Sequence, residues 1–409
     1  MHPTMLRHAL IVLLLPAHAL AMPYDREALL ELTIQRNPEI RAAAAEVRAL
    51  EGRLRQSQLY PNPELELEQD ELRWGEGEGM TGASIGQPIV LGKRRQRARD
   101  LALAERELAQ RSLRQTVRTV LAKVDRLHVR VAYHHADISS QYELLEEAER
   151  SLEQATTTTG GLDGFKARIE RDRIQLELTR HSAELVYTLQ ELGVMTGGTA
   201  FRAEQIAGEL TLDFPMLHDT RALLEQHPLV LVAEGTAKVE SLRGRLLRAE
   251  RVPDVTVMAG AGWREETDEA VPFAGLRIPL PLWNRNQGSI QEADTRTVGL
   301  DARSEQVRLE VANAIRFNAQ QLNEFHTFAS EYHDSILPRA QGALEDARRR
   351  LAEGSARPLD VLDSQRVLTE ARSTYFQYLL RFNTLLAERR GIEGYKQEAD
   401  LDAIIHPRR

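Results

Sequence analysis

The chain has 409 residues, of which 5% are aromatic and 28% are charged. This composition favours long helices and argues against a compact α/β enzyme. The formal net charge of −8 argues against nucleic acid as a partner, and the lack of cysteine excludes disulfide bonds and thiolate chemistry.

Residues 1–21 have the three regions of a secretory signal peptide. The basic residue Arg7 precedes the apolar run Leu10–Leu15, and Ala19–Ala21 supplies small residues for cleavage. The apolar run is too short to span a bilayer, which takes about 20 residues. We therefore predict an exported protein whose mature chain begins near Met22, in preference to a chain that starts with a frayed helix.

The mature sequence is an internal duplication with an offset of about 190 residues, which is too long for a solenoid unit. The matching segments are Asn37–Ile40 with His227–Val230, Pro63–Leu67 with Pro253–Val257, and Gln87–Leu91 with Ile278–Leu282. The predicted domains are a first repeat at 22–200, a linker at 201–219, a second repeat at 220–395 and a tail at 396–409. Each repeat should contain a helix, a β-hairpin and a long helical hairpin.

The first helix of each repeat is predicted at Arg26–Gln58 and at Thr220–Ala249, and the β-hairpins follow at 64–91 and 254–283. The strand segments are Glu64–Glu68, Thr81–Leu91, Val255–Gly262 and Pro272–Trp283. About ten residues per strand is the length that a tilted strand needs to cross a bilayer. The alternative is a soluble β-hairpin that caps a helical bundle.

Alternation of apolar and polar residues gives each hairpin two different faces. It places Leu65 and Leu67 on one face and the neighbouring carboxylates on the other, and Val255 and Val257 repeat the pattern. We predict that these four side chains face lipid. Four strands cannot close a membrane barrel, so strands from several copies of the chain would have to be pooled.

Long helices fill most of the remaining sequence. Apolar residues recur at steps of three, four or seven in both repeats, as between Val307 and Ile336, which is the stripe of a coiled-coil seam. About 60 helical residues make a rod of roughly 90 Å, in which Pro338 should cause a kink or a local unwinding. The glycine-rich breaks at 160–164 and 354–358 are the predicted turns of two helical hairpins.

This order of elements, present twice, resembles that of the TolC-type outer-membrane efflux proteins. The motifs that carry the resemblance are Asn37–Ile40, Pro61–Glu64, Gln87–Arg94, Pro279–Gly288, and Gly354 followed by Leu359–Asp363. They span nearly the whole mature chain. Leu91–Arg94 and Pro279–Gly288 are most similar to the cobalt–zinc–cadmium resistance branch, whose members are called CzcC-like.

The resemblance implies a mainly α fold with transmembrane β structure. Three copies would each give four strands to a shared 12-stranded outer-membrane β-barrel, and the duplicated helical hairpins would form a trimeric periplasmic α-barrel. The implied function is a channel that passively conducts divalent cations such as cobalt, zinc and cadmium. Its partners would be a periplasmic adaptor and an inner-membrane pump of the RND class. The alternatives are a channel for drugs or other small molecules and a non-channel periplasmic coiled-coil scaffold.

The second helical hairpin holds the candidate pore constriction. Asp360 and Asp363 follow the turn and lie one helical turn apart, so they share a face. The resemblance implies a ring of aspartates here, in which crowded carboxylates would raise one another's pKa and attract cations. Arg357 is a candidate partner of Asp360, and Asp163 is the counterpart in the first repeat. The alternative is a pair of N-terminal acids that the helix dipole favours.

The tips of the helical hairpins are candidate docking sites for the adaptor, because they are the breaks at the far ends of the rods. The positions concerned are Gly161 and Leu162 in the first tip and Gly354 and Ala356 in the second. We expect these backbone turns, rather than the strands, to contact the adaptor.

Histidines on the long helices are interpreted as polar positions, and neither a metal site nor a cofactor is predicted. His134 and His135 are adjacent and point in different directions on a helix, and His326 and His333 lack a clear third ligand. The sequence has no G-x-S-x-G, H-E-x-x-H or phosphate-loop motif. We therefore predict a protein without enzymatic activity.

Overall fold

The computed structural model describes residues 24–70, 80–158, 161–216, 220–264, 267–399 and 401–406, so the predicted signal peptide lies outside it. The first repeat consists of α1 (Arg26–Arg36), α2 (Pro38–Gln56), β1 (Glu64–Asp70), β2 (Met80–Ile89), α3 (Arg94–Thr158) and α4 (Leu162–Met195). The second consists of α5 (Thr220–Glu225), α6 (Pro228–Ala249), β3 (Val255–Arg264), β4 (Glu269–Arg277), α7 (Gln287–Glu331), α8 (Leu337–Ala352) and α9 (Pro358–Glu393). A short helix, α10 (Leu401–Ile405), follows.

The first helix of each repeat is divided in two by a residue that precedes proline. Asn37 and His227 are extended, with ψ of 125° and 126°, because the following proline ring excludes the helical conformation at these positions. The Asn37 side chain then caps α2 by accepting hydrogen bonds from two backbone N–H groups of its first turn. The predictions of continuous helices at Arg26–Gln58 and Thr220–Ala249 are therefore wrong at these two points.

The four strands form one antiparallel sheet in the order β1-β2-β3-β4, so the two hairpins lie side by side. β2 and β3 join the repeats, and β1 and β4 are the edges. β4 runs over Glu269–Arg277 instead of the predicted Pro272–Trp283. It ends early because Pro279 and Pro281 lack the N–H groups that a strand ladder needs.

The long helices form rods. α3 has 65 residues, which corresponds to roughly 100 Å. The equivalent rod of the second repeat is α7 followed by α8, with a π-helical turn at Tyr332–Ile336 between them. Pro338 lies just after this turn, so the local unwinding predicted there is confirmed. Among the described helices, none combines the length and the apolar character that crossing a membrane requires.

The largest hydrophobic core lies where the first repeat meets the C-terminal segment. Leu29 and Leu30 of α1, Leu113 and Leu121 of α3 and Ile405 of α10 are almost completely buried in it. Smaller cores lie along the rods, between α8 and α9 and between α7 and α9. This arrangement is expected for helices that pack along narrow apolar seams instead of around one centre.

A buried ion pair ties α3 to α9. The Asp125 carboxylate has no exposed surface and accepts two hydrogen bonds from the Arg390 guanidinium, at 2.7 and 2.8 Å. The Tyr395 hydroxyl donates to the same carboxylate at 3.3 Å, and the Arg26 guanidinium lies 3.6 Å away. The network therefore joins α1, α3, α9 and the segment that follows α9.

Candidate functional site

The second helical hairpin turns at Glu353–Arg357. Gly354 has φ of +73°, a left-handed conformation that glycine adopts readily. The backbone N–H of Ala356 and the hydroxyl of Ser355 donate to the carbonyl of Arg350 at 3.2 and 3.1 Å. Gly354 is exposed and Ala356 is half-buried, so both predicted docking positions are accessible at this tip.

Asp360 caps the start of α9 together with Arg357. The backbone N–H of Arg357 donates to Oδ2 of Asp360 at 2.9 Å, and its guanidinium donates to Oδ1 at 3.4 Å. The backbone hydrogen bond, aided by the guanidinium, lowers the pKa of Asp360. Within one chain the predicted pairing is present, and it opposes the rise in pKa that crowded carboxylates would cause.

Asp363 lies one turn after Asp360 and is exposed. Between them, Val361 is buried in the core between α8 and α9, and Leu362 is buried against Ala167 of α4. These two contacts fix the rotation of α9 about its axis. As a consequence, the carboxylates of Asp360 and Asp363 lie on the side of α9 that solvent reaches. The contact of Leu362 with Ala167 also shows that the two helical hairpins lie next to each other near their tips.

The first tip is described only in part. Gly161 is exposed and has φ of +91°, directly before α4 begins at Leu162. Gly160 and the side chains of Leu162 and Asp163 lie outside the described part of the chain. The correspondence of Asp163 with Asp360 therefore stays a prediction.

The sheet has one apolar face and one charged face. The strand registers place Leu65, Leu67, Ile85, Ile89, Val255, Val257 and Leu276 on the same face. Leu65 and Leu67 are 69% and 74% exposed there. On the opposite face, Arg277 forms an ion pair with Glu66 at 2.7 Å. The four side chains that alternation singled out therefore belong to one continuous apolar surface.

Two histidines that are far apart in sequence lie together between α3 and α4. His134 is buried against His181, with ring centroids 5.8 Å apart. Burial lowers the pKa of His134 to about 4, so its ring is neutral at pH 7. The interpretation of His134 as a polar helix-face position is wrong, because the antiparallel hairpin brings a buried partner against it. His135 is half-buried, and His326 and His333 lie on another rod.

Sequence reasoning missed His181. Its position relative to the predicted turn at 160–164 does not identify it: His134 lies 26 residues before this turn and His181 lies 17 residues after it, so equal distances from the turn would not pair them. Only the register of the two helices, which the sequence leaves open, decides which pairs make contact.

The sequence profile of a protein family described as outer membrane efflux protein matches this chain at residues 29–160 and 221–387. One matched segment falls in each repeat, and together they cover more than half of the chain. The match therefore includes α3 with Asp125, most of α9, and the second tip with its two aspartates, whereas Arg390 lies just beyond it.

Two curated proteins and one solved structure illustrate the similarity. Cobalt-zinc-cadmium resistance protein CzcC of Cupriavidus metallidurans is 28% identical over 370 residues, which are 88% of this chain and 87% of CzcC. Nickel-cobalt-cadmium resistance protein NccC of Alcaligenes xylosoxydans xylosoxydans is 26% identical over 312 residues, or 73% and 70% of the two chains. The crystal structure of CusC, described in terms of folding and transmembrane channel formation, matches with a TM-score of 0.76 at 16% identity and covers 90% of this chain and 92% of CusC. This match confirms the predicted fold class.

Proposed function

The chain belongs to the outer membrane efflux protein family, and we propose that it is the channel through which divalent metal cations leave the cell. One observation carries the choice of cargo: the similarity to a cobalt-zinc-cadmium resistance protein over 88% of this chain. The carboxylates of Asp360 and Asp363 suit such a cargo, because acidic rings attract cations. A non-channel periplasmic scaffold does not fit a member of this family.

Metal export is tested by growth and by metal content. Deletion of the gene in its host should lower tolerance to cobalt, zinc or cadmium salts and raise the cell-associated metal, and a plasmid-borne copy should restore both. Metal tolerance that is unchanged, together with a fall in tolerance to organic antimicrobials, would contradict the metal cargo and favour a channel for drugs or other small molecules.

The proposed working unit is a homotrimer. β1 and β4 are the edges of a four-stranded sheet whose one face is apolar. An edge strand in lipid has backbone N–H and C=O groups that lipid cannot satisfy. Pairing of β4 of one copy with β1 of the next satisfies them, and three copies pool their strands into a barrel of about twelve. The enclosed channel continues through the helical rods toward a periplasmic adaptor and an RND-class pump.

The first prediction concerns the constriction. In planar bilayers, divalent cations such as Co²⁺ should block the purified parent channel. The double substitution Asp360→Ala and Asp363→Ala should raise the concentration for half-block by about tenfold or more, because the carboxylates that attract the ion are gone. The measurement is conductance in a monovalent salt against increasing divalent cation.

A matched control removes two carboxylates of the same hairpin without changing α9. Glu345 and Glu353 are exposed on the α8 side of the tip, so the double substitution Glu345→Ala and Glu353→Ala should leave the block unchanged. Equal block in the aspartate double variant and in the parent would place the constriction elsewhere, and Asp163 would then be the first position to test.

The second prediction concerns the adaptor. A photo-crosslinking amino acid at Ala356 or Leu162 should capture the adaptor in cells, because Gly354 and Gly161 make these the turns at the far ends of the rods. The control position is Asp268, which is exposed in the turn between β3 and β4. Capture from Asp268 without capture from Ala356 or Leu162 would contradict docking at the tips.

A further inference from the structure

A cluster of His134, His181 and Glu184 lies between α3 and α4, away from both the tip aspartates and the sheet. One ligand atom from each residue lies within 4.8 Å of the other two. His134 and His181 are only 3% and 4% exposed, whereas Glu184 is partly exposed. The cluster is therefore an interior site that opens to solvent on the side of Glu184.

Both imidazoles have a buried nitrogen that lacks a partner. Nδ1 of His134 and Nδ1 of His181 make no hydrogen bond with any described residue. Leaving a buried polar atom unpaired is unfavourable, and native proteins rarely do so without a reason. Two such imidazoles on facing helices lie close to the carboxylate of Glu184, and a ring nitrogen that carries no proton can give its lone pair to a metal ion.

Asp137 is placed to orient His181. Its Oδ2 atom is buried and lies 3.1 Å from Nε2 of His181, and it makes no hydrogen bond with any described residue. Once Nε2 is free of Arg180, this carboxylate favours the tautomer with the proton on Nε2, which leaves a lone pair on Nδ1. Histidines that bind metals are commonly held in this way by a carboxylate behind the ring.

Arg180 is the competing group. Its Nη2 atom lies 2.7 Å from Nε2 of His181, and its Nη1 atom donates to Oε1 of Glu184 at 2.7 Å. A guanidinium can only donate, so its contact with Nε2 requires the tautomer that has the proton on Nδ1. Ligand binding at Nδ1 therefore requires Arg180 to release His181. After this release Arg180 still has a hydrogen-bond partner, because its Nε atom donates to Oε2 of Glu177 at 2.8 Å.

We propose that His134, His181 and Glu184 bind one divalent transition-metal ion of the zinc class and thereby fasten α3 to α4 within the rod. Two imidazoles and one carboxylate are a donor set that zinc sites use, with a fourth position left for water. Ligand atoms around tetrahedral zinc are roughly 3.3 Å apart, so the three side chains must move closer together by small rotations. The inference does not rest on the cargo of the channel.

The test uses the full-length channel, purified in detergent and stripped with a chelator, and Co²⁺ as a spectroscopic probe. The parent should bind about one ion per chain and develop visible absorption bands of Co²⁺ with nitrogen and oxygen ligands. His134→Ala and His181→Ala should lose this absorption. Asp137→Asn should weaken binding by about 10–100-fold, and Arg180→Gln should tighten it. The matched control is His135→Ala, which should bind like the parent.

A second measurement distinguishes loss of metal binding from loss of folding, which His134→Ala and His181→Ala could also cause because both side chains are buried. Glu184→Gln changes only Glu184, the partly exposed residue of the three. The helical circular dichroism of this variant should therefore match that of the parent, while its affinity for Co²⁺ falls. Zn²⁺ should raise the melting temperature of the parent by mass action and leave that of Glu184→Gln less affected. Absence of Co²⁺ binding in the parent, or equal binding by the parent and by Glu184→Gln, would overturn the proposal.

Discussion

Asp125→Ala is expected to lower the free energy of unfolding by about 3 kcal/mol. The substitution removes both acceptors of the bidentate contact with Arg390, at 2.7 and 2.8 Å, and the acceptor of the Tyr395 hydroxyl. The guanidinium is then left without its partner in a largely buried position. Because the Arg390 side chain keeps 33% exposure, the loss should lie toward the lower end of the ~3–5 kcal/mol typical of broken buried pairs.

The measurement is unfolding by guanidinium chloride, followed by the helical circular dichroism of the detergent-solubilised protein. The control is Glu191→Ala, which removes ion pairs with Lys123 and Arg130 at 3.5 and 3.4 Å. Glu191 is 42% exposed, and exposed pairs contribute only about 0–1 kcal/mol. If Asp125→Ala and Glu191→Ala lower the free energy of unfolding equally, the buried network around Asp125 does not stabilise the fold more than an exposed ion pair does.

Elements governed by local rules could be predicted from the sequence. The alternation of Glu64–Glu68 predicts a strand with two different faces, and the structure places Leu65 and Leu67 on an apolar surface. Pro338 predicts a disturbance of its rod, and a π-helical turn lies just before it. Each of these inferences needs only a few neighbouring residues, because backbone stereochemistry and side-chain alternation act over that range.

The break at Asn37–Pro38 was missed although its signal is local. The apolar pattern continues across it, so periodicity alone predicts one helix, whereas proline forces the preceding residue out of the helical conformation. The structure shows that the stereochemical rule outweighs the pattern: α1 ends at Arg36 and α2 begins at Pro38. The same competition has the same outcome at His227.

Contacts between distant segments could not be predicted. Asp125 and Arg390 are 265 residues apart, and nothing in the neighbourhood of either identifies the other. His134 and His181 depend in the same way on the register of α3 against α4. The lowered pKa of Asp360 is a property of one chain. The predicted rise belongs to a ring of several chains, and the balance between the two effects is set by the assembly.

Leu67→Arg is expected to prevent most of the protein from assembling in the outer membrane. Leu67 is 74% exposed on the apolar face, and its partner across the strand pair is the small residue Ala83, which offers an arginine nothing to bind. An arginine on the lipid face of a barrel costs up to ~2–4 kcal/mol per chain, depending on its depth. In the proposed trimer this cost arises three times in a single assembly. The measurement is the fraction of heat-modifiable trimer in outer-membrane extracts.

Glu68→Arg is the matched control, because it introduces the same side chain one residue further along β1. Successive residues of a strand point to opposite faces, so this arginine lies on the face that already carries the Arg277–Glu66 ion pair. The Glu68→Arg variant should therefore assemble like the parent. If the sheet were a soluble cap on the helical bundle, an arginine on its exposed apolar face would cost little, and Leu67→Arg would assemble as well as Glu68→Arg. That result would contradict the assignment of Leu65, Leu67, Val255 and Val257 to lipid, since the two variants differ mainly in the face on which the charge lies.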